Sequence, residues 1–209
     1  PWRNNLEIKI MTIDFKRRLP EIYSNIDDTL ESAKIILSEA VPNAKTLFHT
    51  PVVSTFNNGD ITSRVMVLRE FDFEKKILRF HTDNRAAKIE NINENSSATV
   101  VGYDPELKIQ IKLQGKASVH VNDSITEKAW NESTARSKKC YSVKDGSSKE
   151  IENAEEYDIT DFEVEEGYKN FAVIIFKFHN LEFLYLKSSG HRRALHKWDS
   201  DYSCSWLVP

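Results

Sequence analysis

Cysteine is scarce in this chain of 209 residues. The two present, Cys140 and Cys204, lie far apart with no Cys-x-x-Cys spacing, which excludes a disulfide framework and a thiolate zinc site and reads as reduced thiols in a cytoplasmic protein. Long apolar runs are missing as well: FAVIIF at 171–176 is the size of a strand, so no membrane partner is expected. The opening PWRNNLEIKI carries no signal-peptide pattern. Nor is there an excess of positive charge. The formal net charge of −3 gives no global pull toward nucleic acid, so any anion site must be a local cluster. The six histidines, at 49, 81, 120, 179, 191 and 196, show no HExxH or other paired metal spacing, and no metal site is expected. G-x-S-x-G is absent, and with it the nucleophile elbow of a serine hydrolase.

What is present is a hydrophobic fraction of 40%, enough for a substantial core, and one domain over 1–209 is expected because β-rich domains reach this length. The spacing of Ile22, Ile26, Leu30, Ala33, Ile36, Leu37 and Ala40 predicts a helix over 20–41, with Pro20 in its first turn and Pro42 stopping it. The period then changes. LFHTPVVSTF, Asn58-Gly59 and ITSRVMVLREFD read as a β-hairpin, and KILRFHT as a further strand. DNRAAKIENINEN reads as a short helix capped by Asp83 or Asn84. SSATVVGYDP and LKIQIKLQGKASVHV are strands, and SITEKAWNESTARSKK a helix with a Ser124–Glu127 capping box. An acidic, solvated loop is expected over about 145–168, since 150–166 hold nine acids and no base. FAVIIFKFHNLEFLYL and HRRALHKW supply the last strands. Six or more strands with few helices make this a mainly β protein, a closed or split antiparallel barrel flanked by helices.

Two stretches point to an anion. In SRVMVLREFD, Arg64 and Arg69 fall on opposite faces of a flat strand, and a twisted barrel rim can curl both around one ligand. Guanidinium forks match phosphate oxygens. The plainer alternative is that one arginine is solvated and the other pairs with Glu70 or Asp72. In HTDNRAAK, Arg85 and Lys88 fall in the first turn of a helix, where cations oppose the dipole unless an anion is bound.

The ordered set RVMVLR, F-x-T-D-x-R-x-x-K, IQIKLQGKA and the C-terminal HRR ending in WLVP resembles the pyridoxamine 5'-phosphate oxidase-related, FMN-binding split-barrel proteins, over about 45–121 and again at 181–209. The resemblance implies an FMN-binding split β-barrel and an FMN-dependent oxidoreductase acting on a small-molecule substrate. It also implies a homodimer with FMN at the interface. It places Arg64, Val65, Met66, Val67, Leu68 and Arg69 along the flavin, Arg69 standing where the oxidases usually have lysine. His81 and Thr82 fall near the isoalloxazine and ribityl chain, and Arg85 and Lys88 at the phosphate, although Ala86 stands where stricter oxidases have lysine. Gln110 and Ser147 become cofactor contacts, Arg193 a flavin contact, and His191 and Arg192 substrate contacts. Gln110 read by itself could equally face solvent beside Lys112 and Gln114.

The chain also departs from the family. Leu184 replaces a tryptophan that packs on the flavin, and Trp130, Thr134 and Lys138 stand where a Tyr, Arg and Ser hold the substrate phosphate. Those losses argue against vitamin B6 oxidation. A non-catalytic FMN-binding or flavin-reductase-like module is therefore the alternative function. An oligonucleotide-binding barrel is disfavoured by the net charge and by few aromatics on the strand faces, so no nucleic acid partner is expected. FAVIIFKFHNLEFLYL is apolar on both faces, which suits cover by its own core and a partner subunit, or burial wholly within one barrel.

Overall fold

The structure, a computed structural model, describes residues 15–158 and 164–209, with residues 164 and 165 described by backbone alone. The middle of the expected acidic loop thus lies outside the described residues. The first long helix, α1, spans Ile26–Ala40 and does not start at Pro20. Asn25 caps it, its side chain accepting from the Asp27 amide at 3.1 Å, a start that Pro20 has no side-chain acceptor to provide. Ile22 consequently stays 52% exposed, while Ala33, Ile36, Leu37 and Ala40 enter the core.

Among the described residues nine strands form one antiparallel sheet. They are β1 (Val52–Asn57), β2 (Asp60–Val65), β3 (Leu68–Asp72), β4 (Ile77–Asp83), β5 (Ser97–Asp104), β6 (Ile109–His120), β7 (Phe171–Tyr185), β8 (Arg192–Trp198) and β9 (Tyr202–Leu207). The Asn58-Gly59 hairpin forms as expected, both residues having positive φ (49° and 94°). The expected single strand SRVMVLREFD does not form. It breaks at Met66–Val67, because the strand order is β2-β1-β5-β6-β7-β4-β3 and its two halves lie at opposite ends of that path. Two residues of chain therefore cross the seam and close the barrel covalently.

β7 is where the barrel splits. One of its edges pairs with β6 along its length. The other edge pairs with β4 over 171–177 and with β8 over 180–185. His179 is the extra residue of a bulge between these halves, opposite the step from Gln114 to Gly115. Gly115 is required there, since a Cβ would lie 2.1 Å from the Lys177 carbonyl oxygen. The first half of β7 is apolar on both faces because its own chain covers both: Phe171 and Val173 pack against Ala129 and Trp130, and Ile174 and Phe176 enter the barrel core.

The remaining helices start later or are shorter than the patterns suggest. α2 spans Lys88–Glu94, so Arg85 precedes it, and neither Asp83 nor Asn84 caps it. The helix expected after Ser124 is two: α3 (Ser124–Glu132) and α4 (Ala135–Lys139). Its capping box is Asp123 with Thr126, not Ser124 with Glu127; the aspartate accepts from both Ile125 and Thr126 amides. The C-terminal β8–β9 hairpin is pinned to α1 through His196, which is fully buried. Thr29 donates its single hydroxyl proton to the Ile26 carbonyl (2.6 Å), so His196 Nε2 must donate to Thr29 Oγ1 (2.8 Å). Nδ1 is then the acceptor for the Tyr202 hydroxyl (2.9 Å). Burial accordingly pushes the imidazole down to about 4.

Candidate functional site

The Asn58-Gly59 turn sets the register that pairs Arg64 with Val53 and Thr62 with Thr55, on the barrel side of β2 and β1. Arg64 is held there by hydroxyls and a carbonyl. Its Nη1 donates to Thr55 Oγ1 (2.8 Å) and the Val53 oxygen (3.3 Å), and its Nη2 to Thr62 Oγ1 (2.6 Å). None of these partners carries charge. Across the seam, Lys88 at the start of α2 donates to Thr82 Oγ1 at 3.2 Å. Burial and then the Arg64 guanidinium lower the Lys88 pKa, and burial alone lowers that of Arg64. Neither cation has an ion pair among the described residues. A cavity of about 400 Å³ opens beside Lys88, lined by Thr82, Tyr141 and Ser147 among others.

Asp83 also lines this cavity but is already neutralised. Arg85 donates to both of its carboxylate oxygens, Nε at 2.9 Å and Nη2 at 2.7 Å. The same guanidinium donates to the Val143 and Lys144 carbonyls at 3.1 Å. Arg85 thus ties the loop carrying Ser147 to the end of β4, and Lys88 alone of the HTDNRAAK cations is left near Arg64. The expected partners of SRVMVLREFD are likewise taken by others: Glu70 by Arg79 at 3.0 Å and Asp72 by Lys75 at 3.0 Å.

Arg69 and His81 form a second group on the outer face. Arg69 is the unpaired residue of a bulge between Leu68 and Glu70, so that it and Glu70 both face away from the buried Leu68. His81 follows the strand alternation and lies opposite in facing to Thr82, edge-on to Phe171 with ring centres 5.0 Å apart. Arg69 Nε and His81 Nε2 are buried without a hydrogen-bond partner. Burial, helped by Arg79 and Arg69, pushes His81 down to about 3, so it is neutral. Tyr141 is near enough to feel Arg69, but burial dominates and raises its phenol to about 12.

The C-terminal expectations gather elsewhere. His191, Arg192 and Arg193 line a cavity of about 390 Å³ with Trp206 and Leu207. Arg193 donates through Nε (3.0 Å) and Nη2 (2.7 Å) to Oε1 of Glu182, and Lys112 lies 2.8 Å from Oε2. Burial pushes the Glu182 carboxyl up, yet Lys112 and Arg193 outweigh it and hold it below the usual carboxylate range. Gln110 shares the outer face of β6 with Lys112, opposite Leu184. Lys112 lies across Val101 and Val52 from Val65, three strand spacings or roughly 14 Å. The mouth group of Arg64, Thr82, Lys88 and Ser147 is therefore separate from Gln110 and Arg193, which share the outer face, while Arg192 alternates to the other side of β8. Along the RVMVLR stretch Met66 and Leu68 are buried, Val67 is half-buried, and Val65 is 67% exposed. Sequence reasoning missed the threonine pair under Arg64 and the carboxylate under Arg193. The first was countable from the hairpin register; the second had no sequence signal.

Trp130 is buried among Tyr141, Tyr168 and Phe171, with ring centres 5.1–6.1 Å away. Thr134 caps α4 by accepting from the Ser137 amide. Trp130 and Thr134 are thus taken up by a packed aromatic core and a helix cap.

Residues 32–121 match the family described as pyridoxamine 5'-phosphate oxidase, FMN-binding domain. A pyridoxamine 5'-phosphate oxidase-related FMN-binding protein of Nostoc punctiforme has a similar fold, with TM-score 0.71, 18% identity, and cover of 86% of this chain and 96% of that one. So does PhzG of Burkholderia lata, solved with tetrahydrophenazine-1-carboxylic acid, at TM-score 0.73, 20% identity, and cover of 91% and 99%. No curated protein matches the sequence. The family resemblance carried by the ordered motifs is thereby shown, and the fold is the split barrel of these proteins.

Proposed function

We propose that this chain, related over residues 32–121 to the pyridoxamine 5'-phosphate oxidase FMN-binding domain, binds FMN at the barrel mouth and acts as an FMN-dependent oxidoreductase on a small molecule. The observation that carries the reading is the pair Arg64 and Lys88, two half-buried cations near each other with only uncharged oxygens as partners among the described residues. A phosphate dianion supplies the charge this pair lacks, with Thr82 and Ser147 as further donors. The residues present therefore fit the group. When bound, the flavin supplies the redox chemistry, accepting hydride from a substrate. The protein's part is to grip the phosphate, hold Arg64 through Thr55 and Thr62, and keep His81 neutral beside Arg69.

The reading extends to a homodimer. The mouth group and the C-terminal group are separate on one chain, and a second copy can bring its His191, Arg192 and Arg193 to this mouth. An apolar stripe supports such a contact: Val52, Phe56, Ile61, Val65 and Tyr103 are 38–68% exposed on β1, β2 and β5. A C2 contact there couples flavin binding to association. The second reading, a flavin-binding or flavin-reductase-like module, is favoured by the packed aromatic core around Trp130, where the resemblance would put the substrate phosphate.

Flavin-fluorescence titration tests the first reading. FMN should bind at least tenfold more tightly than riboflavin, and equal affinities would sink the phosphate assignment. Light scattering on the FMN-loaded protein tests the second copy, since a monomer that keeps its FMN contradicts a shared site. Hydrogen peroxide release with pyridoxamine 5'-phosphate should be absent, and robust release would show that the Trp130 region has been misjudged.

A further inference from the structure

The split in the barrel leaves a crevice. β4 leaves the edge of β7 after Lys177 and β8 joins it at Asn180, so the bulged His179 lies between two strand ends. A cavity of about 650 Å³ occupies this wedge, floored by Ile77, Phe178 and Trp198. Its rim is basic. Lys75, Lys76, Lys116 and Lys177 all line it, and Glu74 is the only carboxylate among the described residues that does.

The placement of two of these lysines is costly. Lys116 and Lys177 are direct cross-strand partners on one face, where Cβ atoms stand about 5 Å apart and like charges destabilise the pair. Neither has an ion pair among the described residues. Lys116 bends toward Ser97, donating to its hydroxyl at 2.8 Å. Lys76, held in a left-handed conformation (φ 58°), adds a third ammonium over the Trp198 ring at 5.3 Å. It has no carboxylate partner among the described residues and donates to the Phe73 carbonyl at 2.7 Å. In a chain of net charge −3, this is a second local concentration of positive charge. It is distinct from the mouth: Ile77 and Thr82 are five residues apart on β4, roughly 17 Å.

We propose that this crevice binds a compact multivalent anion of the di- or polyphosphate class, held by Lys76, Lys116 and Lys177. The bulge and the strand divergence provide the depth, and the anion offsets the repulsion between the paired lysines. The faces of Trp198 are taken by His196, Tyr202 and Lys76, so recognition is of charge and not of a stacked ring. The competing role for lysines beside an interrupted strand edge is to repel edge-to-edge association.

Calorimetric titration of tripolyphosphate into the purified protein, with and without added FMN, separates these roles. At about 0.15 M ionic strength, where charges beyond roughly 8 Å are screened, tripolyphosphate should bind and orthophosphate bind far less. Lys116→Gln combined with Lys177→Gln should weaken tripolyphosphate by tenfold or more, while Arg64→Ala leaves it unchanged. In anion-free buffer the double variant should melt no lower than the wild type, because a repulsion has been removed. Equal binding by wild type and double variant, loss in Arg64→Ala alone, or no binding at all would each overturn the proposal. A lower melting temperature of the anion-free double variant would overturn it too, because the lysines would then be stabilising the fold unaided.

Discussion

At the barrel mouth Arg64 and Lys88 lie near one another with only uncharged oxygens as partners among the described residues, whereas on the outer face Lys112 and Arg193 face one another across a carboxylate. Each place holds one guanidinium and one ammonium. The difference is the 7% exposed Glu182, which turns the second place into a finished ion triad. A satisfied triad fixes geometry. An unsatisfied pair costs folding free energy and is stabilised by whatever anion arrives. The same contrast separates Arg85, clamped on Asp83, from Lys88 only three residues later.

Breaking the finished triad should have the largest effect. Glu182→Ala leaves two cations together and is expected to cost about 3 kcal/mol, the low end for breaking a buried pair, because Lys112 and Arg193 keep 28% and 32% side-chain exposure. Urea unfolding measures it. A loss under about 0.5 kcal/mol, the size of an ordinary surface substitution, would mean that the triad is only a surface contact.

Removing a cation from the open pair should do the reverse. Arg64→Ala is expected to weaken FMN by about 1.5–3 kcal/mol, a factor of roughly 10 to 150, while leaving apo stability unchanged or slightly higher. Fluorescence titration and melting of the same sample report both. Weaker folding with unchanged FMN affinity would reverse the assignment.

The smallest effects are in pH, and they run in opposite directions. The Glu182 carboxyl is held below its ordinary value in the fold, so its stabilisation is present at neutral pH and is lost as pH falls through the folded pKa. The Lys88 ammonium is also held below its ordinary value. A bound phosphate favours its protonated form, so FMN affinity should fall as pH rises through that lowered pKa, by less than about tenfold. Lys88→Arg, which stays charged, should abolish this alkaline loss while the acid limb persists. An alkaline loss that survives in Lys88→Arg would assign it to another group.

Much of the fold was legible because local rules are strong. Asn58-Gly59 could only turn a hairpin, and apolar patterning marked the later strands through Trp198, while β9 (Tyr202–Leu207) was not expected. The failures lie where a better local acceptor stood nearby: Asn25 displaced Pro20 as the start of α1, and Asp123 displaced Ser124 as the cap of α3. The motif RVMVLR was legible as a set, yet its unity as a strand was not. Nothing in those six residues shows that the barrel seam passes between Met66 and Val67.

The sequence by itself determined the mainly β class, the resemblance over residues 32–121 and the basic residue types available to an anion. Tertiary structure decided which cations stay open. Bulges at residues 69 and 179 break the two-residue alternation, so facing cannot be counted along the strand. Neutralisation is a through-space matter: Asp83 closes on Arg85 two residues away, while Glu182 reaches Lys112 on β6 and Arg193 on β8. Coulomb energy depends on distance in space, and sequence separation carries almost none of that information.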